Sequence, residues 1–169
     1  MKTTKLIFCP AYLCLLAFCI IVSCKPGHEK FSEAEKTFVK NSVDNLTKNI
    51  ADDVSKKGPR AWLNYFEDAN GFFMANQGKI SFEDYRAAKM FILNNLVKNV
   101  RRIKLKWNNV RVDPLGPDLA SMGAGFHEDI TDMSGKTISV DGYFTGLAHY
   151  DGIKWKLRNL HWSTPAAIN

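Results

Sequence analysis

The sequence predicts an α+β domain, a cone-shaped curved antiparallel sheet wrapped around N-terminal helices. Two changes of pattern carry this reading. Apolar residues recur at helical spacing through the first half of the chain, and then alternate with polar ones at strand spacing through the second. A third observation fixes the scale: 169 residues, 46% of them hydrophobic and 24% charged, suit one packed core. The same composition excludes wholesale disorder and collagen-like repeats. No period of 20–50 residues recurs, which excludes a solenoid or propeller.

The helical half begins at Ser32, which with Glu35 matches a capping box. Behind it Val39, Val43, Leu46, Ile50 and Val54 form one apolar stripe, so a helix over 32–57 is expected. Gly58-Pro59 end it and start a second, short helix that buries Trp62, Leu63 and Phe66. Gly71 to Ala75 reads as a brief strand closed by a turn at Gln77-Gly78. Ser81 is placed as the cap of a third helix running to about Lys98, with Tyr85, Ala88, Ile92 and Leu96 on its core face.

Four long strands follow. Ile103, Leu105 and Trp107 alternate with Lys104 and Lys106, and Asp113 to Pro117 then turns the chain. An extended stretch from Leu119 to Ile130 precedes a turn at Asp132–Gly135. Lys136–Tyr150 and Ile153–Ser163 then flank Asp151-Gly152.

The first 24 residues hold all four cysteines: Cys9, Cys14, Cys19 and Cys24. A disulfide scaffold would spread them through the fold, and a zinc site would place partners downstream. Instead Lys2 and Lys5 precede an apolar run from Leu6 to Val22, the layout of a secretory leader. The run ends Ile21-Val22-Ser23-Cys24 and resembles a bacterial lipobox. That resemblance implies a cleaved signal peptide over 1–23, diacylglycerol on Cys24, a short tether over 24–31 and the cone domain over 32–169. An uncleaved signal anchor is the alternative. Stretched fully, the tether reaches about 25 Å, so the domain is expected close to the lipid. Lys25 after the cysteine resembles lipoproteins sent on to an outer membrane. The expected location is therefore the cell envelope, with membrane lipid a partner through Cys24.

The order of helix, helix, short strand, helix and four long strands resembles the nuclear-transport-factor-2-like superfamily, which is also described as cystatin-like. The branch it looks most like is the SnoaL-like and ketosteroid-isomerase-related one. Trp62-Leu-x-Tyr65-Phe66, the Gly78…Ser81 approach, Asp151-Gly152…Trp155-Lys-Leu157 and His161-Trp-Ser163 carry the resemblance, which spans Ser32 to Thr164. It implies a pocket inside the cone and a family that holds isomerases, cyclases, dehydratases and non-catalytic members. No acidic residue on the early helices matches the isomerases' catalytic aspartate, which weakens isomerase chemistry here.

The hairpin at Asp151-Gly152 decides which polar groups meet. A three-residue loop of Tyr150 to Gly152 pairs Leu147 with Trp155, Tyr143 with Asn159 and Asp141 with His161. A two-residue turn would instead set Gly142 opposite His161. On the first register Asp141 and His161 are the candidate catalytic pair, a His oriented by a carboxylate being a competent general base near neutral pH. Tyr143, Trp155, Asn159, Trp62 and Tyr65 are then the candidate ligand-pocket residues. A purely structural His–Asp pair is the simpler reading of the same spacing.

Other groups promise less. His127-Glu128-Asp129 with Asp132 reads as a solvated approach to a turn, not a metal site, because alternation sends neighbours to opposite faces. There is no Gly-rich phosphate loop, serine nucleophile elbow or metalloprotease helix, so neither cofactor nor metal is expected. Lys98 to Arg111 carries six basic residues and no acid, and reads as a solvated strand face with a secondary role against anionic headgroups. No nucleic-acid partner is expected. With Trp155, Leu157 and His161 inward, Leu160 and Trp162 would point out and mark a homodimer face. The functional expectation is an exported, lipid-anchored, non-catalytic module that binds a small hydrophobic ligand or serves in an assembly. The alternative is an isomerase- or cyclase-type enzyme using Asp141 and His161.

Overall fold

A computed structural model describes residues 31–165, and the segment expected to be a leader, with Cys24, lies outside them. Helix α1 (Glu33–Lys57) opens on the expected capping box. The Ser32 amide donates to Glu35 Oε2 at 2.8 Å, and the Glu35 amide donates to Ser32 Oγ at 3.2 Å. Every residue of its predicted stripe is buried. It ends at Gly58, whose φ of 76° only glycine adopts without strain and whose amide caps the Val54 carbonyl.

A 3-10 turn (Pro59–Asn64) leads to two short strands, β1 (Met74–Asn76) and β2 (Lys79–Phe82). The second strand replaces the start of the expected third helix. Asp84, not Ser81, caps α2 (Tyr85–Phe91), its side chain accepting from the Ala87 amide at 2.7 Å. The helix continues through a π-helical turn (Ile92–Leu96) and a last turn, Val97–Asn99.

Strands β3 (Val100–Pro114), β4 (Leu119–Asp132), β5 (Thr137–Tyr150) and β6 (Trp155–Ser163) complete a six-stranded sheet, ordered β2-β1-β6-β5-β4-β3. All neighbours are antiparallel except β1 and β6, which run parallel. The long strands bury alternate residues against the helices: Ile103 and Leu105 from β3, Met122, Ala124 and Phe126 from β4, Phe144 and Ala148 from β5.

The β5–β6 register differs from the expected one. The connection is Asp151–Lys154, where Asp151 Oδ1 accepts the amides of Ile153 and Lys154, both at 2.8 Å. Tyr150 consequently pairs with Trp155, and Leu147 with Arg158. A second change follows at Asn159, a left-handed residue (φ 51°) in a bulge of β6. Beyond it Thr145 pairs with His161 and Phe144 with Trp162. The extra residue inverts the alternation, so Leu157, Leu160 and Trp162 all share the inner face while His161 turns outward. Leu160 is fully buried, and Trp162 packs on four inner rings. The outward apolar pair from which a homodimer was expected is therefore not on the outer face.

Candidate functional site

Between the inner face of the sheet, α2 and the 3-10 turn lies a cavity of about 630 Å³. Its size is that of a small-molecule site. Trp62, Phe126 and Trp162 form its aromatic floor, and Ile92 and Leu96 its helical wall. That wall is the π-helical turn, a local widening that recurs at functional positions in helices. Asn76, Ser81 and Thr164 supply neutral polar groups. A larger groove of about 710 Å³ at the end of α1 is lined by basic side chains and is a different kind of surface.

One ionisable side chain lines the apolar cavity, Glu128. It projects there because β4 runs unbroken to Asp132, so Glu128 shares the inner face with Ala124, Phe126 and Ile130. Half-buried among apolar atoms, its carboxyl is pushed up to about 7 by desolvation. A carboxyl of this kind exchanges its proton near neutral pH.

The sequence-predicted residues are mostly elsewhere. Trp62 alone of the five expected pocket residues lines the cavity. Tyr65 faces α1, its hydroxyl donating to Asp53 Oδ2 at 2.8 Å; burial, and then this carboxylate, push the phenol up to about 12. Tyr143 is exposed on the outer face, and Trp155 packs against Tyr150 with centroids 5.8 Å apart. Asn159 serves the bulge, with its Oδ1 buried and unpartnered.

Asp141 and His161 do not meet. His161 lies across from Thr145, whereas Asp141 pairs with His127 on β4. His127 Nδ1 is 2.8 Å from Asp141 Oδ1, and its Nε2 is 3.3 Å from Asp129 Oδ1. The hydrogen bond to Asp141 holds the imidazole above its ordinary pKa. This cluster sits on the solvent face of the sheet, outside the cavity. Among the described residues no group of three or more His, Cys, Asp or Glu is arranged to hold a metal ion.

Glu128 was hidden in the sequence by its neighbours. His127 and Asp129 made the triplet look like a solvated turn, but two-residue spacing from Phe126 to Ile130 is the signal that places it inside.

No protein-family model matches the chain, and no curated protein is similar to it in sequence. Solved structures are similar in fold. A nuclear-transport-factor-2-like superfamily protein from Salmonella enterica superposes with a TM-score of 0.65 at 15% identity, covering 79% of this chain and 95% of that one. The hexachlorocyclohexane dehydrochlorinase LinA-type3 from Novosphingobium barchaimii gives 0.62 at 13% identity, covering 80% and 92%. A protein with a cystatin-like fold from Caulobacter vibrioides gives 0.59 at 12% identity, covering 76% and 90%. The fold is therefore the nuclear-transport-factor-2-like cone, as the order of elements implied.

Proposed function

We propose that the chain is an exported, lipid-anchored module that binds a small hydrophobic molecule inside its cone, with Glu128 as the polar anchor. The observation that carries the reading is the apolar cavity holding a single ionisable carboxyl. A protonated Glu128 donates a hydrogen bond to a carbonyl or hydroxyl oxygen. An ionised one accepts from an N–H or O–H. Such a ligand is neutral or weakly basic and mostly hydrocarbon.

The neutral aryl amine N-phenyl-1-naphthylamine is a suitable probe. It should bind saturably with micromolar affinity and change the emission of Trp62 and Trp162. Leu96→Trp fills the cavity and should weaken binding by at least about tenfold with the fold retained. Absence of saturable binding, or binding indifferent to Leu96→Trp, refutes the proposal.

A second reading is favoured by the carboxyl's elevated pKa: Glu128 as general base in proton abstraction. The dehydrochlorinase of similar fold supports asking the question. Glu128→Gln separates the two readings, since a binding module keeps its ligand within a few-fold while an enzyme loses turnover by about 10²–10⁴.

The anchor rests on the leader and the Ile21-Val22-Ser23-Cys24 motif. Cys24→Ala should abolish both processing and retention in the membrane fraction. A variant still cleaved and still pelleting with membranes contradicts it.

A further inference from the structure

The basic run singled out in the sequence has a structural counterpart that the cone pocket does not use. The groove of about 710 Å³ at the C-terminal end of α1 is lined by Lys56, Lys57, Arg60, Arg101 and Arg102, with no carboxylate in its wall. Two local features converge to make it. Gly58-Pro59 turn the chain sharply, so Arg60 faces the start of β3 instead of continuing the helix. The β3–β4 register then skips between Val100 and Arg102, so Arg101 is an extra, bulged residue. Two consecutive arginines thereby line one groove, where a regular strand would send them to opposite faces.

The five cations are not equivalent. Lys56 and Lys57 are already engaged, with Asp52 at 3.0 Å and Asp53 at 2.8 Å, and they also offset the negative helix end. Among the described residues no carboxylate lies within ion-pair distance of Arg60, Arg101 or Arg102. Thr131 and Thr137, also in the wall, bond to each other at 2.9 Å, which leaves one of the two hydroxyl protons free to donate.

We propose that this groove binds a phosphate-bearing ligand, with Arg60, Arg101 and Arg102 as its charged contacts. Guanidinium groups match phosphate oxygens in a two-pronged geometry, and three of them suit a multiply charged group better than a single carboxylate. A cavity of this size encloses a small molecule and does not track a polymer. It also lies about 37 Å along α1 from Ser32, at the opposite end of the helix from the proposed tether, which favours a soluble source.

The test is titration of the purified chain with inorganic pyrophosphate at low salt, followed by calorimetry or amide NMR. Saturable binding that weakens by at least about tenfold in the triple variant Arg60→Gln, Arg101→Gln, Arg102→Gln is expected. Lys36→Gln, Lys104→Gln, Lys106→Gln removes equal charge elsewhere and should change affinity less than threefold. Parallel arms use phosphatidylglycerol vesicles and a single-stranded oligonucleotide. Pyrophosphate binding without vesicle binding assigns a soluble phosphorylated ligand. Binding of both, lost together in the arginine variant, assigns the same phosphate chemistry to a lipid headgroup. Absence of saturable pyrophosphate binding, equal losses in both triple variants, or binding of the oligonucleotide alone would overturn the proposal.

Discussion

Glu128→Gln should stabilise the protein at pH 8 and leave it nearly unchanged at pH 5. In the unfolded chain this carboxyl loses its proton near 4.5, whereas burial in the cone holds the proton to about 7. Between those values the folded state binds more protons than the unfolded one, so folding stability falls as pH rises and levels off above 7. The full difference corresponds to about 3 kcal/mol, and partial exposure of the side chain reduces it to roughly 2 kcal/mol. Glutamine has the same shape and cannot ionise. It should therefore raise the melting temperature at pH 8 by roughly 5–10 °C. His127 acts in the same direction, since its raised pKa also adds stability that is lost as pH rises. The quantity to measure is thus the difference between wild type and variant at each pH, which isolates Glu128. Equal melting temperatures for the two proteins at pH 8 would show that the carboxyl is not desolvated.

A residue that lowers stability at neutral pH, in a wall otherwise built of Phe126, Ile130 and Trp162, is a poor packing choice. Natural proteins tolerate such costs mostly where a site uses them. The stability experiment and the ligand titration therefore bear on the same carboxyl. If Glu128→Gln gains stability and keeps the ligand, while Glu128→Leu, which removes the acceptor, loses affinity for probes with an N–H donor, the polar group is there for the ligand.

How far the sequence reaches can be judged from three places in the chain. The stripe from Val39 to Val54 was legible because helical periodicity involves only local spacing, and all five side chains are buried as expected. Glu128 was harder, because its assignment depends on whether β4 continues past Phe126. Only pairing with β3 and β5, residue by residue to Thr131, makes that certain. The Asp141–His161 pair failed for a different reason. Register depends on an integer, and two local events each changed it: the Asp151 side chain organising a longer loop, and Asn159 adopting a left-handed backbone. Asparagine permits that conformation without requiring it, so no residue type announces the bulge.

The residue count at Asn159 therefore controls more than one side chain, and inserting an alanine between Leu160 and His161 should be the most damaging single change in the domain. With one more residue there, β6 would bring His161 to the inner face and turn Trp162 to the solvent face. Trp162 is the hub of the inner aromatic cluster, with ring centroids 4.8 Å from Phe144, 4.9 Å from Phe126, 5.6 Å from Trp62 and 5.9 Å from Trp107. Removing that ring alone, as Trp162→Ala, should cost about 3–5 kcal/mol. A domain of this size has on the order of 5–15 kcal/mol in total, so the substitution leaves it marginal and the insertion should leave it unfolded. Substitutions at the bulge test the backbone argument separately. Asn159→Gly keeps the left-handed conformation available and removes a buried, unpartnered Oδ1, so it should lie within about 1 kcal/mol of wild type. Asn159→Val places a β-branched residue at positive φ and should cost about 1–3 kcal/mol. Urea unfolding followed by tryptophan emission should rank them as glycine, valine, Trp162→Ala and insertion, from most to least stable. An insertion variant with the wild-type midpoint would mean that β6 does not need this register to bury its second half.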